Sequence, residues 1–168
     1  MASLLEFAAM PEDAYLWLKW LHILSSTVLF GTGLGTAFQM WSAHRRGDAA
    51  TIALVAANVV RADWLFTLPA GIVQPLSGLA LVVLTGVDPL ASWLLAAYVL
   101  YLVAFAAWVP VVVLQMRARD LAAAAARAGA ALPAEYFSIM RLWFVLGWPG
   151  FGALLAIYWL MVARPDLW

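Results

Sequence analysis

Four apolar segments, each long enough to cross a bilayer, constrain this chain more than any other feature: Tyr15 to Trp41, Trp64 to Thr85, Ser92 to Met116 and Phe137 to Ala163. A spanning helix needs about 20 predominantly apolar residues. Hydrocarbon offers no water to pair with backbone N–H and C=O groups, so each segment must satisfy its own and is read as an α-helix. The expected fold is all-α, an integral membrane antiparallel four-helix transmembrane bundle forming a single domain over residues 1–168. Composition agrees: 67% of the residues are apolar and 11% charged, against about 25% charged in soluble domains.

Helix-ending residues punctuate the segments: Pro11-Glu12-Asp13 before the first, Asp88-Pro89 after the second, Leu132-Pro133 before the fourth and Arg164-Pro165 after it. Acids (Glu6, Glu12, Asp13) rather than bases precede the first segment, which is also too long for a cleavable signal core, so it is expected to be retained. Bases collect in cytoplasmic loops. Arg45, Arg46 and Arg61 mark one connection and Arg117, Arg119, Arg127 and Arg141 another, whereas the opposite side holds only Lys19 and Arg164. Both termini are therefore expected on the non-cytoplasmic side. The alanine-rich stretch Leu121 to Ala131 is expected to prolong the third helix past the membrane, and Ala49 to Val60 to lie along the interface as an amphipathic piece.

Several chemistries are excluded at once. A formal net charge of zero gives no basic face for nucleic acid, and the absence of cysteine removes disulfides, thiolate metal sites and any iron–sulfur cluster. No serine has a His–Asp partner, and Gly31-x-Gly33-x-Gly35 lies inside a span, so neither a hydrolase nor a phosphate loop is indicated.

Polar groups within spans are costly and face protein or a cavity. At about 100° per residue, His22, Ser26, Gly33 and Met40 share one stripe of the first helix, with Lys19 at its edge. An imidazole at His22 could ligate haem iron, shuttle a proton or bond a backbone carbonyl. His44 is roughly 33 Å away along the same helix and, beside Arg45 and Arg46, reads as a headgroup-level cation. On the second helix Asp63, Thr67, Gly71, Gln74 and Gly78 form a polar seam, and Pro75 frees the carbonyl of Gly71. That seam suits either a cofactor or quinone pocket or interhelical hydrogen bonding. Asp63, close to Arg61 and Arg141, is expected to form an ion pair, with proton uptake as the other use of a carboxylate there.

The third helix carries Tyr98, Tyr101, Phe105 and Trp108 within one sector, and the fourth carries Arg141, Trp148, Gly152 and Trp159 on another stripe, with Pro149 as a kink site. These stripes serve as packing surface or as a porphyrin or quinone wall. Met40, Met116 and Met140 stand at one membrane face, where thioethers could hold Cu(I) or simply pack. Gly31 and Gly35 have the small-xxx-small spacing of a helix-contact surface.

Tyr15-Leu-Trp-Leu-Lys-Trp-Leu-His22, Phe30-Gly-Thr-Gly-Leu-Gly35 and Thr67-Leu-Pro-Ala-Gly-Ile-Val-Gln-Pro-Leu-Ser-Gly78 together resemble the bacterial predicted integral membrane family called domain of unknown function 2269. More distantly, Lys19, His22 and His44 are similar to positions in the CopD-like copper proteins and the HemJ-type protoporphyrinogen oxidases. The resemblance implies a bacterial inner (plasma) membrane location and a haem-b-associated redox role, with His22 as axial ligand, Lys19 and Ser26 as its neighbours, and Gln74, Tyr98, Tyr101, Trp108 and Trp148 around the cofactor. Without a histidine after residue 44, two histidines of one protomer cannot ligate one haem. The alternatives are a non-catalytic membrane scaffold or accessory subunit, and a copper or small-solute conduit. The expected partners are the lipid bilayer and, through the glycine-bearing faces, a homodimer or larger membrane complex.

Overall fold

A computed structural model describes residues 12–168; Glu6 and Pro11, used above to read the first helix start, lie outside the described residues. Among the described residues four long helices predominate: α1 (Glu12–Arg46), α2 (Ala49–Thr85), α3 (Ser92–Ala128) and α4 (Ala134–Ala163). Each is long and apolar enough to span a membrane. In their most apolar stretches only 11–17% of the residues are buried inside the protein. The rest of that apolar surface faces outward, which is stable only where the surroundings are hydrocarbon.

Helix ends follow local chemistry. Asp48 caps α2 by accepting the Thr51 backbone N–H at 2.7 Å. Helices α2 and α3 stop at Gly86 and Gly129, both with the positive φ that ends a helix without a Cβ clash.

Two features depart from the sequence expectation. Ala49 to Val60 does not lie along an interface; it is the first part of α2, and it buries Ile52, Ala56, Val59 and Val60 against the other helices. The apolar face that suggested interfacial binding is covered by protein instead. At Asp63–Thr67 the helix widens into a π turn, in which the Leu68 N–H reaches the Asp63 carbonyl. Pro69 explains this turn, because a proline has no N–H for the carbonyl four residues back and its ring crowds that carbonyl.

Packing is uneven along the bundle. Near the arginine-rich end, the last turns of α1, the first half of α2, the second half of α3 and the start of α4 close on Met40, Ala43, Ile52, Ala56, Val59, Ala118, Ala122, Tyr136 and Met140. Alanines on α3 let the backbones approach. Toward the other end, the Leu68–Thr85 half of α2 packs on α1, while α3 packs along α4. The two pairs separate there and leave a cavity between them.

Candidate functional site

That cavity has a volume of about 440 Å³. On α3 it runs from Tyr101 to Gln115, about 20 Å along the axis. Its sides are Leu29, Phe30, Ile72, Phe105, Phe151 and Leu155, with Gly33, Gly71 and Gly150 making room. Outward-facing Leu34, Phe105 and Trp148 form part of the lining, so the cavity reaches the lipid-facing surface.

Its floor is polar. Asp63, which begins the π turn, is 4% exposed and accepts a hydrogen bond from Thr67 Oγ1 at 2.9 Å. Gln115, equally buried, lies between Asp63 and Trp143. The Trp143 indole can only donate, so the Gln115 oxygen faces Trp143 Nε1 at 3.2 Å and the amide nitrogen donates to Asp63 Oδ2 at 2.7 Å. Trp108 lines the same cavity, and its Nε1 is buried without a hydrogen-bond partner. The expected ion pair of Asp63 is not formed. Arg61 turns to Asn58, and the ion pairs among the described residues are Arg117–Glu135 and Arg119–Asp120. The helical register carries Arg61 and Arg141 to exposed positions, away from the carboxylate.

A second polar cluster joins α1 to α2 outside the cavity lining. His22 Nδ1 meets Ser77 Oγ at 2.9 Å, and His22 Nε2 meets Gln74 Nε2 at 3.1 Å. Ser77 gives its own proton to the Val73 carbonyl at 2.7 Å, so Nδ1 carries the imidazole proton and Nε2 accepts from the Gln74 amide. Ser25 donates to Gln74 Oε1. Gly78 is where the ring lies closest: a Cβ there would stand 3.0 Å from His22 Cε1.

These contacts test the haem expectation on geometry. Iron needs a free imidazole nitrogen, whereas both nitrogens of His22 are engaged, and His22 does not line the cavity. The residues around His22 do not fit an axial ligand in this arrangement. Lys19 sits over the Tyr15 ring, 5.6 Å from its centroid, and Ser26 Oγ bonds the Ile23 carbonyl at 2.8 Å, so neither belongs to the His22 cluster.

Residues 16–165 match the model of a family described as predicted integral membrane protein, domain of unknown function 2269. The chain belongs to that family. No curated protein and no solved structure matches it.

Of the other sequence candidates in this member of the 2269 family, Tyr101, Trp108 and Trp148 line the cavity, and Tyr98 does not. The Tyr98 hydroxyl is buried without a partner. The Tyr101 hydroxyl donates to the Gly71 carbonyl. His44 packs among Tyr136, Phe137 and Phe144, with Nδ1 3.2 Å from the Tyr136 hydroxyl. Met40 and Met140 are core residues, and Gly31 and Gly35 look onto open space. Sequence reasoning missed Gln115 and Trp143 as site residues. The signal present for Gln115 was an uncharged amide at the end of an otherwise apolar span.

Proposed function

We propose that the protein is a membrane-embedded binding protein whose cavity takes up a small lipid-soluble molecule from the bilayer and holds its head at Asp63, Thr67 and Gln115. The observation that carries this reading is the combination of an apolar, lipid-reaching cavity with one buried polar floor. Ligand sites have this build, mostly apolar walls with a few convergent polar groups, and an ionisable residue inside a membrane bundle points to function. A π turn placed under the cavity supports the same site, since such turns occur often at functional positions.

The arginines near the Met40–Tyr136 core support a cytoplasmic placement of that end in a bacterial inner membrane, with both termini on the other side. The Asp63 floor then lies at the cytoplasmic side of the membrane. The cavity extends from it into the hydrocarbon.

The test is binding of a nitroxide-labelled long-chain alcohol to the protein in phosphatidylcholine nanodiscs, followed by electron paramagnetic resonance. An immobilised component that saturates at one per protein is expected, and it should be lost in Gly33→Leu, whose side chain would grow into the cavity beside Phe151. An immobilised fraction unchanged by that substitution counts against the pocket.

A scaffold role is the second reading, and the His22 cluster favours it. Every polar atom of the His22 ring is satisfied between α1 and α2, as expected of interhelical bonding that holds a bundle together.

A further inference from the structure

We infer that the molecule held in this cavity is a cationic amphiphile, an alkylammonium whose charge is neutralised by Asp63; the inference deepens the pocket reading and rests on it. Asp63 is surrounded as an ionised carboxylate would be. Thr67 donates to Oδ1 and Gln115 to Oδ2. Because Trp143 has only a proton to give, Gln115 cannot turn its oxygen toward Asp63 without setting its own amide hydrogens against the indole N–H. The chain Trp143–Gln115–Asp63 therefore passes donors in one direction and ends on the carboxylate.

A carboxylate removed from water is strongly disfavoured unless a positive charge pairs with it. Among the described residues no Lys or Arg forms an ion pair with Asp63, and none lines the cavity. A cationic occupant would supply that charge. The walls suit one. Tyr101, Phe105, Trp108 and Phe144 present aromatic rings to the cavity, and such rings attract organic cations, more so when both are desolvated.

Depth gives the rest of the ligand. Asp63 precedes Thr85 by 22 residues, about 33 Å of helix, close to the roughly 30 Å thickness of a hydrocarbon core. The floor is thus at headgroup level, and the cavity rises from it beside the acyl chains. An amphiphile enters with its head at Asp63 and its tail along Phe30, Ile72 and Phe151. A neutral hydroxyl head would bond Asp63 and the unpartnered Trp108 N–H but leave the charge uncompensated.

Dodecylammonium and dodecanol share a tail and differ in head, and so distinguish the two. Each is titrated against the nitroxide-labelled alcohol in phosphatidylcholine nanodiscs holding wild type, Asp63→Asn or Asp63→Glu. Dodecylammonium should displace the label from wild type and Asp63→Glu at concentrations lower than dodecanol by about tenfold or more. In Asp63→Asn that advantage should vanish, the two competitors acting at similar concentrations, and a circular-dichroism spectrum matching wild type shows that the variant is folded. Equal displacement by the two in wild type, a preference for dodecanol, or an ammonium advantage that survives in Asp63→Asn overturns the cationic assignment and leaves the pocket standing. Failure of wild type to immobilise the label at all defeats the pocket reading and this inference with it.

Discussion

The hydroxyl of Tyr101 donates to the carbonyl of Gly71, the one that Pro75 leaves without its helical partner four residues on. A proline-made vacancy in α2 is thereby filled by a side chain from α3, and the two helices are tied where the cavity would otherwise pull them apart. A Cβ at Gly71 would lie 3.7 Å from that hydroxyl, an ordinary van der Waals contact, so the bond does not depend on glycine there.

This pairing makes a double-mutant prediction. Tyr101→Phe leaves a buried carbonyl unpaired and should destabilise the protein by about 1–3 kcal/mol. Pro75→Ala returns an N–H to the same carbonyl, so Tyr101→Phe should cost much less in that background. Denaturation of the four proteins in detergent gives the coupling. Equal costs in both backgrounds would show that the two residues act independently.

His22 and Gly78 make a second pair. Gly78→Ala places a methyl 3.0 Å from His22 Cε1, so the ring must give by a few tenths of an ångström, at the expense of its bonds to Ser77 and Gln74. A loss of about 1–3 kcal/mol is expected, and His22→Ala should relieve most of it. The same geometry predicts that protein expressed with ample haem has no Soret band that depends on His22. A band that shifts on reduction and vanishes in His22→Ala would require the ring to leave its present partners and would restore the haem reading.

The placement of Ala49–Ala62 upright in the bundle is testable by truncation. Ile52 is fully buried, so Ile52→Ala should cost about 2–5 kcal/mol. Val162, 86% exposed on the lipid-facing side of α4, should tolerate alanine with little change. Near-neutral behaviour of Ile52→Ala in a thermal melt would instead agree with an interfacial segment.

The four membrane helices were legible from sequence because a bilayer demands length and apolarity of every span, and few other structures meet both. The freed Gly71 carbonyl was legible too, since a proline acts on its own helix. What the sequence did not disclose depended on contacts between helices. Ala49–Val60 has an apolar stripe that suits a membrane surface and a protein core equally, and only packing against Ala118 and Ala122 decides between them. Arg61 stands two residues from Asp63, yet a helix turns about 200° over two residues, which sends the two side chains to opposite faces. Gln115 and Trp143 acquire their role only when α3 and α4 meet above Asp63. His22, read as a candidate ligand, is brought to Gln74 and Ser77, which occupy the nitrogens a metal would need.

The most direct test of the central claim is photolabelling in the membrane with a long-chain alcohol bearing a diazirine near its tail, followed by mapping of the modified residues. The account predicts adducts on the cavity walls, at Phe30, Gly147, Phe151 and Leu154, which diminish with excess unlabelled alcohol and are absent in Gly33→Leu. Adducts confined to the outward faces, at positions such as Leu102 and Val162, and insensitive to competitor would contradict it.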